Sequence, residues 1–211
     1  DGYKIVFLAK NKIGYQNLVK MCSIGFTEGF YYVPRVDREI VLKYSHGLIV
    51  LSGNKYGEIS NKILNVGENQ AIEALDWWKS KFNDDFYLEL IRHGEEEEEV
   101  LNKQLLKFSK TFDIKLIATN NTHYINKEDA NAHDILLCVK DGEKQSTPIG
   151  KGRNFRYGLK NQEYYFKSPK DMVNLFRDIP ESISNISQLV EKIEIFDLHR
   201  EVLLPKFEIP K

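Results

Sequence analysis

Residues 115–139, KLIATNNTHYINKEDANAHDILLCV, decide how this chain is read. Leu116 to Thr119 is a short apolar run, long enough for one buried strand and too short for a helix. Polar residues gather where that strand would stop: Asn120, Asn121, Thr122 and His123. Asn126 then stands as an N-cap, and Glu128 and Asp129 suit the positive end of a helix dipole. Ala130, His133, Ile135, Leu136 and Val139 supply the helix behind them. A buried strand whose polar residues collect at its C-terminal end, just before a helix, is where α/β proteins place their chemistry.

The same pattern repeats on the N-terminal side. Tyr3–Ala9, Gly47–Ser52 and Phe86–Ile91 read as three further strands, the second bounded by Gly47 and Gly53. Helices are expected at Gly14–Gly25, at Asp37–Tyr44, at Glu58–Val66, at Glu68–Phe82 with Ile72, Leu75, Trp78 and Phe82 on one face, and at Glu95–Phe112 with Val100, Leu101, Leu105, Leu106 and Phe108 inward. Phe30–Pro34 is expected to be extended, because Pro34 stops a helix from running into it. Strand–helix alternation repeated four times predicts parallel strands joined by crossover helices, as an open sheet or part of a barrel.

After Val139 the pattern breaks. Asp141–Gly158 holds four glycines, a proline, Arg153 and Arg156, and reads as a long irregular loop of the kind that is functional or mobile. Glu163–Lys167 is a candidate short strand. Ser168 caps a helix with Pro169 in its first turn, and Pro180 starts another towards Ile193. The last stretch, residues 201–211, reads as a linker, with residues 1–200 as one domain.

With 211 residues the chain has ample material for a core, and 42% apolar and 29% charged residues are ordinary for a soluble globular protein. Thirty basic against thirty-one acidic residues leave a net charge of −1. That balance argues against a dedicated nucleic-acid surface, which needs a local excess of Lys and Arg. Nothing resembles a signal peptide or a membrane span, so a cytoplasmic location is expected. Cys22 and Cys138 sit in apolar helical contexts and read as small core residues. The first residue is Asp1, not Met, and the chain is expected to be a piece of something longer.

Each candidate residue has a plain reading beside the functional one. His93, following Glu89 in LELIRHG, reads as a surface histidine at a strand end. His123 is better placed, yet one histidine is no metal site, since zinc takes three or four ligands. Its neighbours Asn120 and Asn121 offer amide oxygens, which bind hard cations weakly and zinc poorly. His133, among apolar neighbours, reads as a hydrogen-bonded core histidine, and Glu95–Glu99 as a solvated helix start. No phosphate-cradling glycine loop, nucleophile elbow or paired zinc motif is present.

Taken together, residues 8–53 (LAKNKIGYQNLVKMCSIGFTEGFYYVPRVDREIVLKYSHGLIVLSG), LELIRHG, LIATNNTHYINKEDANAHDILLCV and YYFKSPKDMVNLFRDIPESISN resemble, in this order, the N-terminal PHP domain of the bacterial replicative DNA polymerase III alpha subunit. The resemblance implies a partial, distorted (β/α)7 barrel whose first strands are missing from this fragment, with a Leu-Pro-Lys-Phe tail leading to the polymerase palm. It implies a parent that is a DNA-directed DNA polymerase, a nucleotidyltransferase, whose own catalytic carboxylates lie outside this segment. It also implies a metal cluster for phosphoester hydrolysis in active members. Aligned with that pattern, Lys4 stands where a histidine would open a strand, Asn54 replaces a cysteine, and Asn121 and His123 match a D-x-H pair. Only His123 keeps a good ligand. The expectation is a non-catalytic scaffold with no cofactor in this fragment, docking the proofreading exonuclease subunit and the remainder of the polymerase chain, and reaching DNA only through the complete enzyme. The alternative is a metal-dependent phosphoesterase or 3'-5' exonuclease using Zn or Mn.

Overall fold

The computed structural model describes residues 2–199. The expected linker at residues 201–211 lies outside them. Among the described residues, β1 (Val6–Ala9), β2 (Leu48–Leu51), β3 (Phe86–Ile91) and β4 (Leu116–Thr119) form one four-stranded sheet, ordered as in the chain. Helices α1 (Lys12–Thr27) and α2 (Arg38–Lys43) separate β1 from β2. Helices α3 (Glu58–Asn65) and α4 (Glu68–Phe82) separate β2 from β3, and α5 (Glu96–Phe112) separates β3 from β4. Beyond the sheet come α6 (Ala130–Asp141), α7 (Pro169–Leu175) and α8 (Pro180–Glu191).

Period-two alternation sorts the strands into two faces. Leu48 and Val50 of β2, with Leu88 and Leu90 of β3 and Leu116 and Ala118 of β4, face one core cluster. Leu75, Trp78 and Phe82 of α4 and Leu105 and Phe108 of α5 fill it from the helix side. Ile49, Leu51, Tyr87 and Ile117 face the opposite cluster, where Leu189 and Ile186 of α8 cover them. Burial on both faces explains why β2 reads as an unbroken apolar run. Trp78 is buried, its indole N–H donating to Glu58 Oε2 at 2.9 Å, while Arg38 and Lys62 neutralise that carboxylate. Caps follow the sequence signals. Asp37 accepts from the Ile40 N–H, and Ser168 forms a capping box with Asp171 ahead of Pro169.

The parallel reading holds for β2–β3 and β3–β4 and fails for β1, which runs antiparallel to β2 with Val6 opposite Leu51 and Ala9 opposite Leu48. Two glycines accommodate this course where the start of α1 meets the start of β2. A Cβ on Gly14 would sit 1.9 Å from the Gly47 carbonyl, and Gly47 itself has φ +77. With no side chains there, the exit of β1 packs directly on the start of β2, and the Lys10 N–H donates to the Gly47 carbonyl. That contact accommodates the two strands lying head to tail. An antiparallel strand at the edge of a parallel sheet is a common exception.

Other expectations shift as well. Tyr3–Ile5 lies outside β1, and Glu163–Lys167 forms only a single bridge, Tyr124 to Tyr165. Phe30–Pro34 is an exposed turn in which Tyr32 has φ +61. Cys138 is buried as expected, but Cys22 is exposed. Val100 of α5 and Ile135, Leu136 and Val139 of α6 are also exposed, so α6 buries chiefly Cys138. Among the described residues, no helix is long and apolar enough to cross a membrane.

Candidate functional site

The C-terminal ends of β2, β3 and β4 open on one side of the sheet, and the predicted residues collect there. After β2, the loop Ser52–Gly57 turns at Gly53, where φ is +80 and a Cβ would lie 2.5 Å from the Lys4 carbonyl. Lys4 therefore runs against this loop. Its N–H donates to the Tyr56 carbonyl at 2.9 Å, and its ammonium lies 5.1 Å from the Tyr56 ring centre. Asn54 turns inward on the same loop, accepting from the Tyr56 N–H at 3.0 Å. A small cavity of about 40 Å³ is lined by Asn54, Lys55, Glu89, His93, Asn121 and Tyr164 among others. A wider cleft of about 350 Å³ beside it is lined by Lys55, Glu95, Asn121, His123, Tyr164 and the loop around Ile149–Lys160. The structure thus places Asn54, Asn121 and His123 at one end of the sheet, with Lys4 alongside through Tyr56.

His93 departs from its expected place at the surface. It is 2% exposed, stacked on Tyr164 with ring centres 4.1 Å apart and planes 8° apart. Its Nδ1 lies 2.7 Å from Glu98 Oε1, and Glu98 Oε2 accepts from the His93 N–H. A carboxylate only accepts, so the His93 Nδ1 donates to Glu98. The His93 Nε2 is buried without a partner among the described residues. Sequence reasoning missed this because the covering ring, Tyr164, is some seventy residues further on.

The acidic run is likewise only partly solvated. Glu95 is buried, accepting from the Tyr164 hydroxyl and from Lys55 Nζ, which also reaches Glu97 at 3.2 Å. The Glu95 carboxyl is held below its usual range: burial opposes this, but the bonds from Lys55 and Tyr164 outweigh it. The Tyr164 hydroxyl is pushed upward by burial and by its bond to Glu95.

Glu89 carries a different electrostatic signature. The Glu89 N–H donates to Ser52 Oγ, and its Oε1 accepts from the Thr119 hydroxyl, while Oε2 is buried without a partner. Burial raises its pKa against the smaller opposing effects of Thr119 and the Gly53 N–H. The sequence did carry a signal for it, an acid in the middle of the apolar strand FYLELI. His123 is held below the ordinary histidine range by partial burial, and His133 and His93 add to the effect. Its ring meets His133 edge-on at 5.4 Å and Tyr164 at 5.6 Å. His133 is half-buried against these rings and not sealed in the core.

The donor set does not fit a catalytic metal. Among the described residues, no three His, Cys, Asp or Glu side chains converge to hold a cation. The groups at hand are two amides, the imidazoles of His123, His133 and His93, and carboxylates already bonded to lysines, a hydroxyl or His93.

Residues 1–93 match the family model of the PHP domain. That stretch is similar to the PHP domain, and the described residues have a mixed α/β architecture of sheet and flanking helices. Over nearly its whole length it resembles the DNA polymerase III alpha subunits: that of Borreliella burgdorferi is 40% identical over 209 residues, covering 99% of this chain and 18% of the relative. The same subunit of Campylobacter jejuni is 37% identical across 92% of the chain, and that of Treponema pallidum 33% across 99%, covering 16% and 17% of those relatives. The chain therefore spans less than a fifth of the length of the curated relatives it matches.

Proposed function

We propose that this chain is the PHP-domain part of a replicative DNA polymerase, serving DNA replication as a non-catalytic scaffold and docking module with a degenerate metal site. The observation that carries the reading is the donor chemistry of the cleft, where Asn54 and Asn121 stand and Lys55 lies across the acids. Amides in place of a thiolate and a carboxylate remove two anions that a divalent cation needs. The relatives' kinship supports a PHP-type (β/α)7 barrel, of which the four strands would form part. It also supports a site in the cytoplasm, and partners in the remainder of a polymerase chain and a proofreading exonuclease.

Purified chain is expected to bind Zn²⁺ or Mn²⁺ no tighter than about 1 µM, roughly 8 kcal/mol, against about 10 or more for structural zinc. Restoring the anions with Asn54→Cys and Asn121→Asp together should tighten binding. In the full-length polymerase, His123→Ala should leave DNA synthesis and melting temperature unchanged. Stoichiometric, chelator-sensitive metal in the unmodified protein, or loss of a phosphoesterase activity in His123→Ala without loss of fold, would replace this reading with a metal-dependent phosphoesterase.

A further inference from the structure

Besides the residues the sequence singles out, the cleft holds one side chain that nothing so far has given a role. Lys55 leaves the β2–α3 loop and lays its ammonium between two acids of the α5 start, 2.7 Å from Glu95 Oε2 and 3.2 Å from Glu97 Oε2. Its side chain is 25% exposed, while that of Glu95 is 4% exposed. Lys160 approaches the same Glu95 oxygen at 3.7 Å from the solvent side. The Glu95 carboxylate is therefore a buried anion whose compensation comes from one ammonium in contact and a second at longer range. In the neighbouring cavity, which Lys55 also lines, His93 Nε2 is buried without a hydrogen-bond partner among the described residues. Two acidic side chains in contact with one ammonium make a cation-seeking environment.

Resting on the degenerate-site reading, we propose that the Lys55 ammonium is a built-in counter-cation, filling the cation position of this cleft, so that a small exogenous cation enters only when that side chain is removed. Physically, an ammonium tethered by its own backbone is at a far higher local concentration than any dissolved ion and pays no association entropy when the chain folds. Taking it away leaves the buried Glu95 with only the longer-range Lys160 ammonium and the Tyr164 hydroxyl, which is the costly way to break an ion pair. Removing both partners is much milder, because no charge is then stranded. Lys55 also ties the β2–α3 loop to the start of α5, so the compensation holds two segments of the cleft wall in place.

The test is a melting series on the 211-residue chain with Lys55→Ala, Lys55→Met, Lys55→Arg, and Lys55→Met combined with Glu95→Gln. Loss of the charge should lower the melting temperature by about 4–10 °C in both the Ala and Met variants, with Arg retaining most of it. The double variant should recover at least half of the Met loss. Propylammonium at millimolar concentration, which matches the atoms removed by Lys55→Ala, should raise the melting temperature of that variant and leave the unmodified chain and the double variant unmoved. Equal response to propylammonium in all proteins, or no recovery in the double variant, overturns the proposal. Should Lys55→Ala not fold, the Met and double variants still decide it through the recovery. Tight metal binding by the unmodified chain would instead strike the degenerate-site reading, so the two failures are distinguishable.

Discussion

At the scale of single residues, Glu89 makes the sharpest statement about charge. Burial raises its pKa, so the folded chain keeps a proton that the unfolded chain releases near its ordinary value of 4.5. The stability it contributes is fully present below that value and is lost as the pH rises through the raised one. Glu89→Gln, which keeps the shape and carries no titrating proton, should stabilise the chain at pH 8 and flatten the fall of melting temperature between pH 5 and 8. Melting curves across that range check it, and an unchanged slope would show that the carboxyl is ionised in the folded state. The acid in FYLELI was legible in the sequence as an oddity, but its lack of a cationic partner was not, since its neighbours Ser52 and Thr119 come from the loop after β2 and from β4.

At the scale of elements, the loop between α6 and α7 hangs on one side chain. Arg156 is buried and makes two parallel bonds to Asp134 on α6, at 2.6 and 2.9 Å, while its Nε donates to the Thr147 carbonyl. Around it Lys144, Lys151 and Arg153 are exposed. Arg156→Ala should free the loop without unfolding the sheet, so trypsin should cut at Lys151 or Arg153 several times faster while the melting temperature falls little. Comparable cutting rates in the two proteins would show that the loop keeps its place without the arginine. Element types and centres were largely legible from periodicity and caps: β3 runs from Phe86 to Ile91 as read, and α7 begins at Pro169 behind its serine. Strand direction was not. The antiparallel course of β1 is accommodated by the contact of Gly14 with Gly47, a pair thirty-odd residues apart that no local pattern announces. The burial of α6 was misread for a related reason. Its spacing fits a core face, but the described residues bring little to cover Leu136 and Val139.

At the scale of the whole molecule, Trp78 shows how one core serves every part. It stacks on Phe82 and Phe86, meets Phe7 of β1, and bonds to Glu58 of α3, so four elements share its ring. Trp78→Ala should cost about 3–5 kcal/mol, a large fraction of a single domain's stability, read as a lower urea midpoint. Cys22→Ser, at an exposed position, should change that midpoint by little, and an equal loss in both would contradict the core assigned here. The order of the sheet has a consequence for how such a core comes to exist. Because strand order in space equals strand order in the chain, each strand emerging from the ribosome finds its partner already made. The growing sheet then exposes one fresh edge at a time, and on the newest of them, β4, Asn185 of α8 covers one group by donating to the Leu116 carbonyl. A nascent chain built in that order spends little time with several raw edges open to its neighbours, which is a defence against aggregation during synthesis that a shuffled strand order would forfeit.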